Sequence, residues 1–518
     1  MRSITAIFCF WVLACNAVMA REIRVRKDYS KIQSAINAAE AGDTIIVDPG
    51  TYYETIDFKG KAITVQSSPA HPRRAIIMGD STRYYCVQFK SGETNDSVLS
   101  GFRITNASTA VDCSSSSPSI INNVITGNER GITMSAGPSG PPSAPIICNN
   151  LISNNGNLGS ELVREGAAIL MDTSCPTILN NTIAYNTARE SGGAIRCYSS
   201  GPMFSGNRII HNSAPVGGAI NLDTDGSVGA RPILVDNMMA QNAGSSGGAI
   251  YSYRNRPILI GNLLIGNKAT GGGAMRCDYA KVIGNTIAFN EAQAGGALSA
   301  APHDPRQPDP PIEFENTIIW GNTATVGAQI WAGEGWFFGY SPTVAFTHCI
   351  VEGGEDAIYS GPNPDIRWGP GNIDADPLFV DPGHRDDAGT PSDLTDDTFI
   401  LGDYHLLPGS PCIDAGTNDI DNPDTPEVET LPTTDIAGLP RVIDGDLDGT
   451  ATVDIGAYEY LPGDVNYDGR VNVLDLILVR NSLGRDPASS TEAGKADVNA
   501  DGSVNVLDLL VVRGRLGR

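Results

Sequence analysis

The stretch that decides the fold is Gly192-Gly193-Ala194-Ile195-Arg196-Cys197-Tyr198, GGAIRCY. Near-copies begin at Gly217 (GGAINLD), Gly247 (GGAIYSY), Gly272 (GGAMRCD) and Gly295 (GGALSAA), with a looser one, GAAILMD, at Gly166. A second motif, Asn-x-Ile-x-x-Asn, runs beside it. It reads NVITGN from Asn123, NLISNN from Asn150, NTIAYN from Asn181 and NRIIHN from Asn207, then NMMAQN from Asn237, NLLIGN from Asn262, NTIAFN from Asn285 and NTIIWGN from Asn316. Successive copies start 23 to 31 residues apart. That spacing is regular enough to mark a repeat and too variable for a helical solenoid, whose period is fixed by packing. Each repeat carries short β-favourable runs separated by Gly, Asn and Pro. Short strands cannot bury an apolar face alone, so copies must stack, which predicts a coiled parallel β-solenoid with three strands per turn. An Asn at a fixed place in each turn fits a corner, where it accepts αL geometry and hydrogen-bonds its counterpart in the next turn. The Gly-Gly pair fits a corner with positive φ or close backbone approach.

Alternation along a strand then separates the fixed residues from the variable ones. With the Ile of GGAI inward, Met171, Cys197, Leu222, Ser252, Cys277 and Ala300 also point inward. Facing solvent are a first column, Leu170, Arg196, Asn221, Tyr251, Arg276 and Ser299, and a second containing Asp172, Tyr198, Asp223, Tyr253 and Asp278. Arg, Tyr, Asp and Asn on one face suit a sugar groove, because rings pack on pyranose faces and charged groups hydrogen-bond hydroxyls. Turns lie about 4.8 Å apart, so Asp172 and Asp223, or Asp223 and Asp278, are expected about 10 Å apart. That is close to the roughly 6.5–9.5 Å at which an inverting glycosidase keeps room for water between two carboxylates. Tyr198, Asn221, Tyr251 and Tyr253 are the substrate-binding candidates, and Asp172, Asp223, Asp278, Arg196 and Arg276 the catalytic ones.

Composition sets the remaining bounds. The chain has 518 residues and a formal net charge of −24, which argues against a nucleic-acid partner. Residues 1–20 combine Arg2, an apolar run from Ile4 to Leu13 and the small-residue end Ala17-Val18-Met19-Ala20, the pattern of a secretory signal. No later run is long and apolar enough to predict a membrane span. The chain is expected to be secreted and monomeric. None of the eight later cysteines sits in a CxxC pattern, and Cys86 with Cys113, on neighbouring turns, is a candidate disulfide.

The repeats resemble the right-handed parallel β-helix proteins of the pectate-lyase-like superfamily, and Asp28–Glu54 is similar to the start of many of them. In that segment Ser30 and Gln33 read as a capping box, and Ile32, Ala35, Ile36 and Ala39 share one helix face. Such a helix would plug the end of the coil, which DTIIVDPGTY then begins. The resemblance covers residues 21–349 and speaks for fold more than activity. It implies either hydrolysis or β-elimination; lyases of this superfamily use calcium held by Asp with Arg or Lys as base, for which Arg196 and Arg276 are the candidates. A non-catalytic carbohydrate-binding or surface protein built on the same coil remains open. Residues 350–460 hold 25 Asp and Glu against three Arg. They resemble the C-terminal extension of secreted bacterial β-helix proteins and are expected to close the far end of the coil. Asp444, Asp446 and Asp448, with Asp454 near, copy the first half of a calcium loop.

Residues 461–518 carry the most specific pattern. DVNYDGRVNVLD (Asp464–Asp475) and DVNADGSVNVLD (Asp497–Asp508) match at ten of twelve positions. Calcium takes six or seven oxygens, which such a loop supplies from alternating positions. The first set is Asp464, Asn466, Asp468, the Arg470 carbonyl, Asn472 and Asp475. The second is Asp497, Asn499, Asp501, the Ser503 carbonyl, Asn505 and Asp508. Asp stands at the twelfth place where an EF-hand has Glu. Each loop precedes one amphipathic helix, and the duplicated loop-helix resembles a type I dockerin. The resemblance implies two calcium ions and a cohesin partner, contacted through Val473, Leu474 and Arg480 or through Val506, Leu507 and Arg513.

Overall fold

The computed structural model describes residues 20–79, 84–136, 142–157, 163–224, 231–300, 311–333, 342–360, 365–386, 398–419 and 431–517. Of the signal segment, residues 1–19 lie outside the described residues. The chain is mainly β. Three parallel sheets of 14, 12 and 12 strands run the length of a solenoid, and each turn contributes one strand to each sheet. We call them the first, second and third sheets in the order the chain meets them. Ile195–Tyr198, for example, pairs in the third sheet with Ile169–Asp172 of the preceding turn and Ile220–Asp223 of the next. Ile195 and Cys197 are fully buried, as are Ile220 and Leu222 one turn on, so the alternation read from GGAIRCY sets the core. Burying one such Ile stabilises by about 1.5–3 kcal/mol, and the gain recurs in every turn.

The two corner glycines serve different ends. Gly192 has φ +60°, the left-handed region. Gly193 does not, but a Cβ there would lie 2.2 Å from the carbonyl oxygen of Gly218 in the next turn. The Asn motif forms two buried ladders. In one, Asn123, Asn150, Asn181, Asn207, Asn237 and Asn262 each pass an amide hydrogen bond to the next Asn Oδ1, at 2.9–3.2 Å, ending at Asn285. The second ladder, five residues on, runs from Asn128 to Asn322. The expected αL geometry belongs to the residue before each ladder Asn, as at Asn122 (φ 59°) and Asn180 (φ 53°). In NTIIWGN the extra residue puts Asn316 in that αL place, and Thr317 ends the ladder by accepting from Asn285 N at 3.3 Å.

The coil starts earlier than expected. Glu22–Val25 pairs with Thr44–Val47, and helix α1 (Ile32–Ala38) lies between them with Ile32, Ala35 and Ile36 in the core. The capping box does not form. The Glu54 carboxylate caps α1 instead, accepting from Ile32 N (3.0 Å) and Gln33 N (3.1 Å), while Gln33 bonds the backbone of Asp57. Parallel pairing continues past Cys349 to Asp365–Trp368. Cys113 stands opposite Phe89, three places from Cys86, so that pair is out of register for a disulfide.

The acidic segment first supplies the last turn of the coil, with Ile366 and Trp368 packed on its core, but most of it does not lie at the far end. Phe379, Tyr404, Leu406, Cys412, Ile455 and Ala457 form one apolar cluster with Ala184, Ile210, Ala240, Leu263, Ile265, Ala288, Ile318 and Ile350, all from the outer side of the second sheet. The extension thus lies lengthwise on the coil. The fixed apolar residues of the second sheet explain it: they face outward, and bare they would be a large exposed patch. Arg441 crosses the seam, fully buried, with Nη1 3.0 Å from Glu459 Oε1 and the Gly456 carbonyl of the extension and Nη2 3.4 Å from the Gly284 carbonyl of the coil. The C-terminal module adds α2 (Val473–Ser482), a short α3 (Thr491–Ala496) that the sequence did not announce, and α4 (Val506–Arg515).

Candidate functional site

The third sheet aligns the variable residues in the register expected. Leu170, Arg196, Asn221, Tyr251, Arg276 and Ser299 form one outward column; Asp172, Tyr198, Asp223 and Tyr253 form the other. Solvent access differs from the expectation at four of them, Arg196, Asn221, Asp278 and Ser299. Arg196 (8% exposed) and Asn221 (4%) are buried because the Arg196 side chain folds across the next turn. Its Nη1 donates to Asn221 Oδ1 at 2.8 Å and its Nη2 to Asp223 Oδ2 at 3.1 Å. Its Nε lies 4.0 Å from Glu165 Oε2, and the Tyr198 ring centroid is 5.5 Å from its Cζ. Asp278 is also buried: past the strand end, its Oδ2 accepts from Arg254 N at 2.7 Å, which fixes the chain rather than lining the face.

What remains open on this face is Asp172, Tyr198 and the half-buried Asp223, Tyr251, Tyr253 and Arg276. Asp172 and Asp223 are two strands apart in one column with Tyr198 between, about 10 Å by strand spacing. Arg276 Nη1 donates to Ser246 Oγ at 3.2 Å. Burial pushes the Tyr251 hydroxyl pKa up, against the pull of Arg276. Arg254 sits 5.4 Å from the Tyr253 ring centroid.

Glu165 and Ser246 were not singled out from the sequence. Both belong to a short bridged ladder just ahead of the Gly-Gly corner (Glu165–Ser191–Val216–Ser246), whose signal is the small or polar residue one place before the first Gly. The first column also runs further both ways than the six copies suggest. Upstream it holds Asp57, Gln88, Asp112 and Thr133, and downstream Trp331 and Tyr359. Asp112 accepts from Thr133 Oγ1 (2.8 Å) and Ser114 Oγ (3.0 Å), and burial pushes its carboxyl up. The result is one continuous polar and aromatic face along the coil axis.

The paired loops of the C-terminal module are folded as two copies. Asp464 accepts from Asp468 N (3.1 Å) and Gly469 N (2.7 Å); Asp497 accepts from Asp501 N (3.2 Å) and Gly502 N (2.9 Å). Asp475 and Asp508, fully buried at the first turn of α2 and α4, close the loops onto Asn472 N and Asn505 N, each at 2.8 Å. Asn466 and Asn499 point to Asp468 and Asp501, each at 3.0 Å. Asn472 and Asn505 cap the helices through Oδ1. Burial pushes the Asp464 and Asp497 carboxyls up, and the other loop carboxylates add to it, so a divalent cation is the countercharge these sites want. The donors are all oxygen, from alternating positions of a tight loop, which fits calcium. The Arg470 and Ser503 carbonyls stand at the seventh place of each loop. Beside the loops, Val473, Leu474, Ile477 and Leu478 on α2 and Val506, Leu507 and Leu510 on α4 are exposed, 37–62% each. Arg480 and Arg513 are exposed next to them.

In the extension the gathered carboxylates are Asp414, Asp444 and Asp446, with oxygens within 4.8 Å of one another. Asp448 instead accepts from Thr450 N (2.7 Å), and Asp454 is buried, accepting from Asp414 N and Tyr460 N. The expected run Asp444, Asp446 and Asp448 is therefore not one ligand set.

Among known proteins, residues 462–517 match the dockerin type I domain and residues 161–287 match the right-handed β-helix region. No curated protein matches the sequence. Among solved structures, XylC in complex with xylose is similar over 86% of this chain and 98% of its own, at 13% identity and a TM-score of 0.50. Pectate lyase Pel9A covers the same shares at 13% identity and a TM-score of 0.41. No helix among the described residues is long and apolar enough to cross a membrane. Type I dockerin domains bind calcium and pair with cohesins. The chain is a right-handed parallel β-helix protein with a C-terminal type I dockerin domain.

Proposed function

We propose that this protein is secreted and acts on a polysaccharide held along the outward face of its third sheet, with the dockerin attaching it to a cohesin-bearing partner. The observation that carries the reading is the Arg196 cluster: a guanidinium buried on a solvent-facing column, held by Asn221, Asp223 and Glu165 and packed on Tyr198. A charge network of that cost is unusual on a plain structural face. In this reading Tyr198, Tyr251 and Tyr253 pack against sugar rings and Arg276 hydrogen-bonds hydroxyl or carboxyl groups, while the buried Asn221 holds Arg196 rather than the sugar. Asp223, beside the Arg196 guanidinium, would be the carboxylate that activates water, with Asp172 in the same column, about 10 Å away, as the second carboxyl group of the pair. Hydrolysis is preferred over β-elimination because Arg196, one of the two guanidiniums offered as bases, is buried and held by Asn221 and Asp223. Each loop would hold one calcium, and the exposed apolar ridge of α2 or α4 would meet the cohesin.

The test is a panel of soluble plant and bacterial polysaccharides, read by reducing-end release and by ultraviolet absorbance of unsaturated products. Reducing ends without unsaturation, lost in Asp223→Ala and Asp172→Ala, support the reading. Unsaturated products would make it a lyase, and activity surviving both substitutions would move the site elsewhere. Binding without turnover, weakened by Tyr198→Ala, would make it a carbohydrate-binding protein.

A further inference from the structure

The two calcium loops differ at their fourth position, Tyr467 against Ala500, and that difference faces the acidic extension. Tyr467 donates its hydroxyl to the Leu406 carbonyl at 2.8 Å. Its ring lies 5.0 Å from the His405 ring, which stacks in turn on Tyr458 at 3.9 Å. Lys495 of α3 stands 4.8 Å over the same ring and 3.9 Å from Asp403. Ala500 meets the same segment: a Cβ on Gly409 would be 3.0 Å from the Ala500 Cβ. At the far side Arg515 Nη2 donates to the Asp444 carbonyl at 3.4 Å. The loops therefore grip residues 403–409, while the apolar ridges of α2 and α4 stay exposed.

We infer that the first loop, when loaded with calcium, latches the dockerin onto the extension through Tyr467, so that the module rides on the coil at a fixed angle and its two loops differ in calcium affinity. The inference rests on the reading that the loops bind calcium. Tyr467 sits between two loop ligands, Asn466 and Asp468, in the αL conformation (φ 56°) that the wrapped loop imposes. Without a cation, Asp464, Asp468 and Asp475 repel one another, the loop relaxes, and Tyr467 loses the geometry that reaches Leu406. By linkage, the docking contacts strengthen calcium binding in the first loop and add much less in the second. A dockerin held this way would present its cohesin-binding ridges in one orientation relative to the third-sheet face.

The test uses the full chain and calcium alone, by calorimetry. In an Asp501→Ala background, where the first loop is intact, Tyr467→Ala should weaken calcium binding by about tenfold or more, the scale of one hydrogen bond plus a buried ring. Ala500 has φ 53°, so Ala fits the backbone at this position. Tyr467→Phe, which keeps the ring, should fall between. In an Asp468→Ala background the second loop should be unchanged by Tyr467→Ala within about twofold. Solution scattering of the unsubstituted chain should show its longest dimension growing on chelation, and Tyr467→Ala should show the growth with calcium present. Equal affinity with and without Tyr467, or equal weakening of both loops, overturns the latch. Absence of any calcium heat in the unsubstituted chain overturns the calcium reading itself, and the latch with it.

Discussion

Asn237→Ala should cost about 3–5 kcal/mol of stability in the coil. The Asn237 amide is fully buried. It accepts from Asn207 N (3.0 Å) and Asn207 Nδ2 (2.9 Å), and donates to the carbonyls of Phe204 (3.1 Å) and Val235 (3.0 Å) and to Asn262 Oδ1 (3.0 Å). Asn207 Nδ2 keeps other acceptors after truncation, but Asn207 N does not; the Phe204 carbonyl loses a buried donor, and the part-buried Val235 carbonyl still accepts from Gly206 N. A typical hydrogen bond contributes about 1 kcal/mol net, and an orphaned buried group costs about 1–3 kcal/mol, which together give the range. Amide exchange is the suitable assay, because a coil of many turns need not unfold in one step. Protection of Asn207 N and its neighbours should fall by roughly 10²–10⁴-fold, while α1 and the dockerin are unchanged. Asn237→Thr should recover part of the loss, since Thr317 ends this ladder by accepting from Asn285 N and donating to the Val282 carbonyl. If Asn237→Ala costs under about 1 kcal/mol, the ladder is not what locks successive turns together.

Other substitutions follow from the same structure. Gly193→Ala places a Cβ 2.2 Å from a backbone oxygen and should yield insoluble or strongly destabilised protein, whereas Gly438→Ala, strained in φ but with open space around it, should still fold. Glu54→Ala removes the cap of α1 and should lower stability by about 1–2 kcal/mol, with exchange rising first in residues 32–38. The extension, and its seam with the coil where Asp236 faces Arg441, should weaken as pH rises. Burial pushes Asp236 up to about 6 and Asp454 up to about 8, so the folded chain keeps protons that the unfolded chain releases near 3.8. Stability from these groups is complete below that value and is lost as pH passes about 6 and then about 8. Denaturation melts across this window should show the decline, and Asp454→Asn should flatten its upper part.

The coil was legible because its determinants are local and repeated. GGAI recurs through the turns from Gly166 to Gly295 and the Asn pair from Asn123 onward, and alternation from one inward Ile places Cys197 and Leu222 in the core without further information. What the sequence hid is what one turn does to another. Arg196 reads as a solvent-facing residue until the next turn supplies Asn221 and Asp223. Asp278 reads as a third carboxylate until the chain bends and its oxygen is spent on Arg254 N. Glu54 caps a helix 22 residues upstream, and Ser30 was only the nearer choice. The extension's resting place was hidden for the same reason: the apolar outer residues of the second sheet, such as Ala240 and Ile265, look like core in sequence, and only the closed coil shows that they face out. The paired loops were legible throughout, because the residues that fold each of them sit within twelve positions; Tyr467 was not, because its partners are some sixty residues back.

The central claim is that the third-sheet face takes a polysaccharide, and an oligosaccharide from the substrate found on the panel, bound to Asp172→Ala protein and seen by crystallography, tests it most directly. The account predicts a chain of sugar units along the coil axis across Tyr198 and Asp223, with a hydroxyl or carboxyl in reach of Arg276. Sugar bound on the second sheet, on the extension or at the dockerin, with the third-sheet face bare, would contradict it.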